Sequence, residues 1–383
     1  MKKFNFIKNF KKNFTHSVNL RSLNLPMVFK EDNKFLQKAL KEKELSTYGK
    51  YTKIFENALR KYVKSKYVLA TINGSAAMQV AMIAAGIKRN DEILMPSFNY
   101  ISNANAANNC GAIPHFIDCE QSTLGICPKK LNNYLKKNSK LKGKNLINKK
   151  TKRIIRAIVP VYIFGHPPKM KELMIIAKKF NLIVLEDAAE ALGSFYSGRH
   201  AGTFGKIGTL SFNGNKIITT GGGGAILTNS KKVYEKIKKI TSNGRKFHRW
   251  KFIFDEIGYN YRLPSLNSAI GISQIKNLKI ILKKNRSLYK EYNKFFASID
   301  GIIVKREPEF CKSNYWLQTL ILEKNSKLKR DIIIKKFIKN KIEVRAAWDL
   351  LSETKMYKDC PSMNLKNSKD LVSRIINIPS RTN

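Results

Sequence analysis

The chain has 383 residues, of which 43% are hydrophobic, and this composition excludes a largely disordered protein. Its 73 basic and 27 acidic residues give a formal net charge of +46. The lysines are spread over nearly the whole chain, and no zinc-finger, RNP or basic-zipper pattern accompanies them. We therefore interpret the charge as the drift of an AT-rich genome rather than as a site for nucleic acid or for a membrane surface.

The cysteines and the apolar runs bear on the cellular setting. The five cysteines form no C-x-x-C pair, which predicts free thiols in a reducing compartment and no metal site. Lysine and asparagine interrupt every apolar run of residues 1–25, so we expect no signal peptide. The longest apolar stretches, such as residues 157–165, are too short to cross a bilayer. We expect a soluble, cytoplasmic protein.

Strand-like and helix-like segments alternate through the first half of the chain. The predicted strands are residues 67–72, 92–96, 112–118, 153–162 and 182–186, and the predicted helices are residues 76–86, 103–109 and 169–181. This alternation predicts an α/β fold with a mostly parallel central sheet and helices on both of its faces.

Three further segments have less regular patterns. The Lys-rich residues 131–152 predict a surface helix followed by a loop insertion, and residues 231–239 predict a helix with one face in solvent. Residues 266–282 have the period of a long amphipathic helix.

After Pro264 the regular alternation of strand-like and helix-like segments ends, and a long amphipathic helix is followed by mixed helices and strands. This change predicts two domains. We expect a large domain of residues 35–264. We expect a smaller α/β domain of residues 1–34 and 265–383, in which the N-terminal arm packs with the C-terminal part.

Residues 210–227, LSFNGNKIITTGGGGAIL, carry the most chemistry. A strand-like run reaches Ser211, and the tight turn of residues 213–215 then presents Lys216. The four glycines beyond it form a loop whose backbone can lie close to a ligand. A lysine tuned by its surroundings can act as nucleophile and base, as Schiff-base chemistry requires. Taken alone, Lys216 is equally well explained as an ordinary surface lysine.

Two other junctions between strand and helix complete a pattern. Asp187 follows a buried strand, where it could keep a pyridinium nitrogen protonated, although a helix N-cap explains it slightly better when it is taken alone. The small residues 73–77, NGSAA, let backbone N–H groups reach a phosphate, but they have neither P-loop nor Rossmann spacing. A phosphate-binding turn, an acid and a lysine follow one another in this chain order. Together they predict a pyridoxal phosphate site.

Several segments that include these residues are similar to those of a known family. They are residues 46–51 (STYGKY), 73–77 (NGSAA), 111–116 (GAIPHF), 164–167 (FGHP), 186–194 (EDAAEALGS), 211–216 (SFNGNK), 258–264 (GYNYRLP) and 314–317 (NYWL). On these segments the chain resembles the sugar aminotransferases of the DegT/DnrJ/EryC1/StrS family, from about residue 46 to residue 379. The resemblance implies the aspartate-aminotransferase fold, fold type I of the pyridoxal-phosphate-dependent transferases, with the cofactor in the large domain.

The resemblance also implies roles for individual residues. Lys216 matches the lysine that forms the Schiff base with the cofactor, and Asp187 matches the acid that pairs with the pyridine nitrogen. Tyr100 matches the aromatic residue that stacks on the cofactor ring. Glu190 matches a polar residue near the cofactor or the sugar.

The cofactor phosphate is implied to lie between several small and polar groups. Gly74, Ser75 and Ala76 match the phosphate-binding turn, and Ser211 matches a phosphate-binding hydroxyl. Asn260 matches an asparagine that reaches the cofactor phosphate of the neighbouring subunit, which implies a homodimer with shared active sites.

The branch of the family that the chain resembles most aminates UDP-linked 4-keto-6-deoxy-N-acetylglucosamine, on routes to bacillosamine or legionaminic acid. This implies a nucleotide-sugar substrate and an amino-acid donor, glutamate by resemblance. Amination of another nucleotide keto-sugar, at C3 or linked to GDP or dTDP, stays open, as does a non-catalytic regulator. Related sugar 3-dehydratases carry histidine where Lys216 stands, which argues against that activity. For His166 and His200, a structural role is at least as well supported as substrate contact.

Overall fold

The computed structural model describes residues 4–246, 248–326 and 328–382, and the predicted domain ranges also include residues 1–3, 247, 327 and 383, which lie outside the described residues. The α-helices of the described part are α1 (Asn5–Phe14), α2 (Lys30–Lys41), α3 (Lys50–Val63), α4 (Gly74–Ala85), α5 (Ser102–Asn109), α6 (Pro128–Asn138), α7 (Met170–Lys179), α8 (Lys231–Ile240), α9 (Ser265–Phe296), α10 (Arg330–Lys339) and α11 (Lys366–Val372). Over this part of the chain, no helix combines the length and the apolar character that a membrane span requires.

The strands form one large sheet and three smaller ones. In chain order they are β1 (Tyr67–Thr71), β2 (Glu92–Pro96), β3 (Ile113–Ile117), β4 (Ser139–Lys142), β5 (Asn145–Asn148), β6 (Ile154–Ile158), β7 (Ile183–Asp187), β8 (Phe195–Tyr196), β9 (Arg199–His200), β10 (Ile207–Ser211), β11 (Gly224–Thr228), β12 (Arg245–Lys246), β13 (Ile253–Phe254), β14 (Ile302–Val304), β15 (Cys311–Lys312), β16 (Gln318–Leu322), β17 (Arg345–Ala346) and β18 (Ile375–Ile378). The small sheets have the strand orders β12-β13, β14-β16-β18-β17 and β15-β8-β9.

The large sheet has the order β1-β11-β10-β7-β6-β2-β3, with β4 and β5 attached beside β6. Strands β10, β7, β6, β2 and β3 are parallel to one another, whereas β11 is antiparallel to both β1 and β10. Its strands are apolar runs because both faces are covered; the side chains of Ile93, Leu94 and Met95 are fully buried. The predicted α/β fold with a mostly parallel sheet is confirmed.

The Lys-rich insertion differs from its prediction. Helix α6 forms, but residues 139–148 form the β4-β5 hairpin instead of a loop, and β5 pairs with β6. Two groups in this insertion contact the buried carboxylate of Glu92, which accepts a 2.8 Å hydrogen bond from the Asn148 amide and another from the Thr151 hydroxyl. Leu146 is also buried. The many exposed lysines conceal these inward-facing positions in the sequence.

The long helix α9 is also longer than its prediction, because it continues from residue 282 to Phe296. Its second half is rich in lysine and asparagine, yet Leu288, Tyr292 and Phe296 are buried there. Phe10 of α1 packs against Tyr292 and Phe296, with ring centroids 5.3 and 5.7 Å apart. The division of the chain into domains at residues 34 and 264 stays a prediction.

The aromatic contacts of α1 generate a prediction about stability. Replacing fully buried Phe10 by alanine should lower the free energy of unfolding by about 3–5 kcal/mol, because it removes apolar contacts and leaves a cavity. Urea denaturation followed by circular dichroism measures this. Asn9→Ala, at an exposed position of the same helix, is the control and should change little. Equal midpoints for the two variants would contradict the packing described.

Candidate active site

The carboxyl ends of β1, β7 and β10 lie at the same edge of the large sheet. Because β10 is parallel to β7, and β1 runs in the same direction across the antiparallel β11, all three strands end on one side. Asp187 is the last residue of β7, and the segments that follow β1 and β10 carry Gly74 and Lys216. This edge is where open α/β sheets bind ligands.

The first segment is the start of helix α4. The Asn73 side chain caps the helix, accepting a 2.7 Å hydrogen bond from the N–H of Ala76. The N–H groups of Gly74 and Ser75 are left without intrahelical acceptors, at the positive end of the helix dipole. A Cβ atom on Gly74 would lie 2.9 Å from the Cβ of Ser211, so glycine is needed for this close approach. The residues that were predicted to bind the cofactor phosphate are therefore close together.

Asp187 ends strand β7 and is buried. Its Oδ1 accepts the N–H of Ala189 at 3.0 Å, and its Oδ2 accepts the Asn103 amide at 2.6 Å. Burial raises the pKa of Asp187, whereas these two hydrogen bonds and the charge of Lys216 act in the opposite direction. Both oxygens keep a free lone pair, so the carboxylate can accept a further N–H from a ligand.

Lys216 follows a turn in which its own N–H donates to the Asn213 carbonyl at 2.9 Å. Only 15% of its side chain is exposed. The Nζ atom lies 3.3 Å from Oε1 of Glu190 and 4.0 Å from the ring centroid of Trp316. The ammonium group is therefore held between a carboxylate and an aromatic face.

Glu190 is the other acid of the site. Its Oε2 accepts the N–H of Phe164 at 2.9 Å, and its Oε1 faces Lys216. Burial raises the pKa of Glu190 to about 7, against the lowering effect of the Lys216 charge. Such a carboxyl can gain or lose a proton near neutral pH.

Two predicted residues make their contacts with residues outside this group. Tyr100 is 56% exposed, and its ring makes an edge contact with Trp348 at 6.1 Å. Asn260 is exposed, and its backbone pairs with Ser242. Within the described part of this single chain, no hydrogen bond joins the Asn260 side chain to Asp187 or Lys216.

The two histidines differ in their surroundings. His200 accepts the N–H of Gly193 at 2.9 Å through Nε2, while Nδ1 lies 2.6 Å from the Ala201 carbonyl, and burial lowers its pKa to about 4. Both of its ring nitrogens are thus used within the fold. His166 is fully buried against the ring of Tyr315. Among the described residues, no three side chains of the His, Cys, Asp or Glu types are arranged to hold a metal ion.

Sequence reasoning gave no role to Asn103 or Trp316, which contact Asp187 and Lys216 directly. The only signal for Trp316 was its place in the NYWL segment, 100 residues after the lysine. For Asn103, the signal was its place in a helix that follows a predicted strand.

The comparison with protein families decides the identity. The family described as "DegT/DnrJ/EryC1/StrS aminotransferase family" matches residues 26–383. The chain belongs to this family. Its relatives include a GDP-perosamine synthase of Escherichia coli O157:H7, 32% identical over 358 residues, which cover 93% of this chain and 92% of the relative. A UDP-4-amino-4,6-dideoxy-N-acetyl-beta-L-altrosamine transaminase of Campylobacter jejuni is 31% identical over 346 residues, covering 90% and 88%.

Solved structures agree on the fold. Helicobacter pylori PseC, an aminotransferase involved in the biosynthesis of pseudoaminic acid, superposes with a TM-score of 0.83 at 25% identity, covering 94% of this chain and 93% of that one. The Escherichia coli GDP-4-keto-6-deoxy-D-mannose-3-dehydratase has a TM-score of 0.84 at 23% identity and covers 96% of both chains. This chain has the fold type I architecture of pyridoxal-phosphate-dependent transferases.

The chain is thus a pyridoxal-phosphate-dependent nucleotide-sugar aminotransferase, and its residues fit the cofactor. Asp187 offers a buried carboxylate with free lone pairs, and the start of α4 offers N–H groups beside the Ser211 hydroxyl. The Oδ1 atom of Asn103 is buried and has no partner among the described residues. These groups lie at the same edge of the sheet as Lys216.

Glu190 generates a prediction about pH. Because its pKa in the fold, about 7, exceeds the ordinary 4.5, its contribution to stability is present below pH 4.5 and is lost as the pH rises through 7. Wild type should therefore lose about 3 kcal/mol relative to Glu190→Gln over this window. Urea denaturation at a series of pH values measures the difference. Glu353→Gln, which removes an exposed carboxylate paired with Lys369, is the control for the loss of a carboxylate. Parallel curves for wild type and Glu190→Gln would contradict the assignment.

Proposed function

We propose that the enzyme transfers an amino group from glutamate to the C4 keto group of a UDP-linked 4-keto-6-deoxy-N-acetylhexosamine, in the cytoplasm. The product would enter surface-polysaccharide or nonulosonate synthesis. The observation that carries the transamination is that Lys216 lies at the same sheet edge as the start of α4 and as Asp187, whose pKa its charge lowers. The Campylobacter relative, whose name specifies a UDP-linked 4-amino-4,6-dideoxy sugar, supports the choice of substrate. A GDP-linked keto-sugar is the second candidate, supported by the GDP-perosamine synthases.

Bound pyridoxal phosphate supplies an electron-withdrawing ring that stabilises negative charge on the reacting carbon. Asp187 would hold a proton on the ring nitrogen, which its buried carboxylate is placed to do. Lys216 Nζ would bind the cofactor and then move a proton to and from the substrate carbon, as base and acid. Glu190, 3.3 Å from Nζ, is within reach to exchange a proton with it.

The phosphate of the cofactor would be bound by backbone N–H groups and hydroxyls at the positive end of α4. The N–H groups of Gly74 and Ser75 point along the axis of α4, and the Ser75 and Ser211 hydroxyls lie beside them. Ala76 is small and buried, so it leaves this space open. The partner subunit's Asn260 would complete the phosphate contacts.

A homodimer with shared sites is part of this proposal. The segment around the β12-β13 hairpin exposes four large apolar side chains, Trp250, Phe252, Phe254 and Ile257, at 73%, 74%, 58% and 85%. Exposed apolar surface of this kind favours coverage by another protein chain. Asn260 follows the segment closely, so a second copy that covers it would lie near the Asn260 side chain. Tyr100, exposed in one chain, would stack on the cofactor ring in the complete site.

The substrate assignment is tested by turnover with glutamate and a panel of UDP-, GDP- and dTDP-linked 4-keto-6-deoxy sugars. We expect the highest kcat/KM for the UDP-linked N-acetyl sugar, with amination at C4 seen by NMR. Lys216→Ala should lower kcat by at least about a thousandfold, because it removes the proton-transfer group. A preference for the GDP-linked sugar would favour the second candidate. Full activity of Lys216→Ala would refute the mechanism.

Shared sites are tested by mixing two variants at a cofactor concentration that saturates wild type but leaves Asn260→Ala largely without cofactor. Asn260→Ala alone should weaken cofactor binding about 10- to 100-fold, because it removes a hydrogen bond to a charged group. Lys216→Ala and Asn260→Ala subunits, unfolded together and refolded, should regain about a quarter of wild-type activity, because half of the dimers are mixed and each has one intact site. No recovery would mean that Asn260 acts within its own chain.

A further inference from the structure

The contacts of the Lys216 amine extend to Trp316, a residue outside the groups already assigned. Trp316 precedes β16 of the four-stranded sheet and is buried. The Nζ atom of Lys216 lies 4.0 Å from the centroid of its ring, so the charged end of the lysine, rather than its methylene chain alone, faces the aromatic surface. A cation at this distance is attracted by the negative face of an indole.

Trp316 is tied to the turn that presents the lysine. Its Nε1–H donates to the Asn215 carbonyl at 2.6 Å, and the same carbonyl accepts the Asn24 amide at 2.7 Å. The residue directly before Lys216 is therefore held from two sides. These bonds fix the ring relative to the lysine backbone, so the ring does not depend on a bound ligand for its orientation.

Glu190, which contacts the other side of the Lys216 ammonium group, is linked to the same tryptophan through one side chain. The side chain of Asn314 donates to the carbonyl of Glu190 at 2.8 Å and accepts the N–H of Trp316 at 2.9 Å. This arrangement requires a glycine at position 165, where φ is +92° and a Cβ atom would lie 1.9 Å from the Asn314 Oδ1. Glu190 and Trp316 are thus held at a constant separation by one side chain.

We propose that Trp316 and Glu190 form a holding site for the free ammonium group of Lys216, occupied whenever this amine is not bound to the cofactor. The inference rests on the proposed role of Lys216 as the cofactor lysine. Transamination frees this amine in one half of its cycle, and an unbound lysine has four rotatable bonds. A holding site keeps Nζ near the carbon to which it must return a proton, which retains the advantage of a fixed orientation. Trp316 is then a positioning residue, and Glu190 is its charged partner.

The test measures the amine itself in the full chain prepared without cofactor. An amine-acylating reagent is applied over a pH series, and mass spectrometry of the Lys216 peptide gives the pH at which labelling is half-maximal. In Trp316→Leu this midpoint should fall by about half to one pH unit, because the charged amine loses its aromatic face. Trp316→Phe should give a smaller fall, and Glu190→Gln should also lower the midpoint.

Asn24→Ala is the matched control, because it releases the same turn without touching the ammonium group. Its midpoint should equal that of wild type. If the Trp316→Leu midpoint also equals wild type, or moves no further than that of Asn24→Ala, the proposal is overturned and Trp316 only packs. If Trp316→Leu does not fold, Trp316→Phe decides by the same comparison. Labelling needs neither cofactor nor sugar, so its outcome is independent of the substrate assays and of the activity of Lys216→Ala.

Discussion

Strands β1, β7 and β10 run in the same direction, and the whole site depends on this constraint. Parallel strands end at one edge of a sheet, so a helix start, an acid and a lysine that are far apart in the chain meet there. The antiparallel β11 lies between β1 and β10 and sets their separation. The glycine at position 74 then allows Ser211 to approach the first turn of α4. The common direction of these strands, rather than any single side chain, brings the helix start, the acid and the lysine together.

Buried hydrogen bonds connect this edge to the rest of the molecule. Arg381, near the end of the chain, donates to the carbonyls of Lys216 and Ile217 at 3.0 Å, and burial lowers its pKa to about 10. Asn314 joins Glu190 to Trp316 from another element. Buried hydrogen bonds of this kind restrict the turn, because each broken bond would leave an unpaired polar group in a region of low dielectric constant. The lysine turn is therefore held by residues from both ends of the sequence.

The sequence predicted the parts of the site that local pattern controls. The turn at residues 213–215, the acid after β7 and the small residues at the start of α4 each follow a strand, and strands are visible as apolar runs. The partners of these groups were not predictable, because Trp316 and Asn103 reach them only through the folded chain. The β4-β5 hairpin was missed because its exposed lysines obscure the alternation of buried positions. The second half of α9 was missed for the same reason.

We propose that Lys216 carries the cofactor, and borohydride reduction of the purified enzyme examines this attachment itself. Reduction fixes a cofactor that is bound to an amine, and peptide mass spectrometry then identifies the residue that carries it. We expect loss of the visible absorbance and a single modified peptide, in which Lys216 bears the reduced pyridoxal phosphate. Cofactor attached to another lysine, or an active enzyme in which Lys216 stays unmodified after reduction, would contradict it.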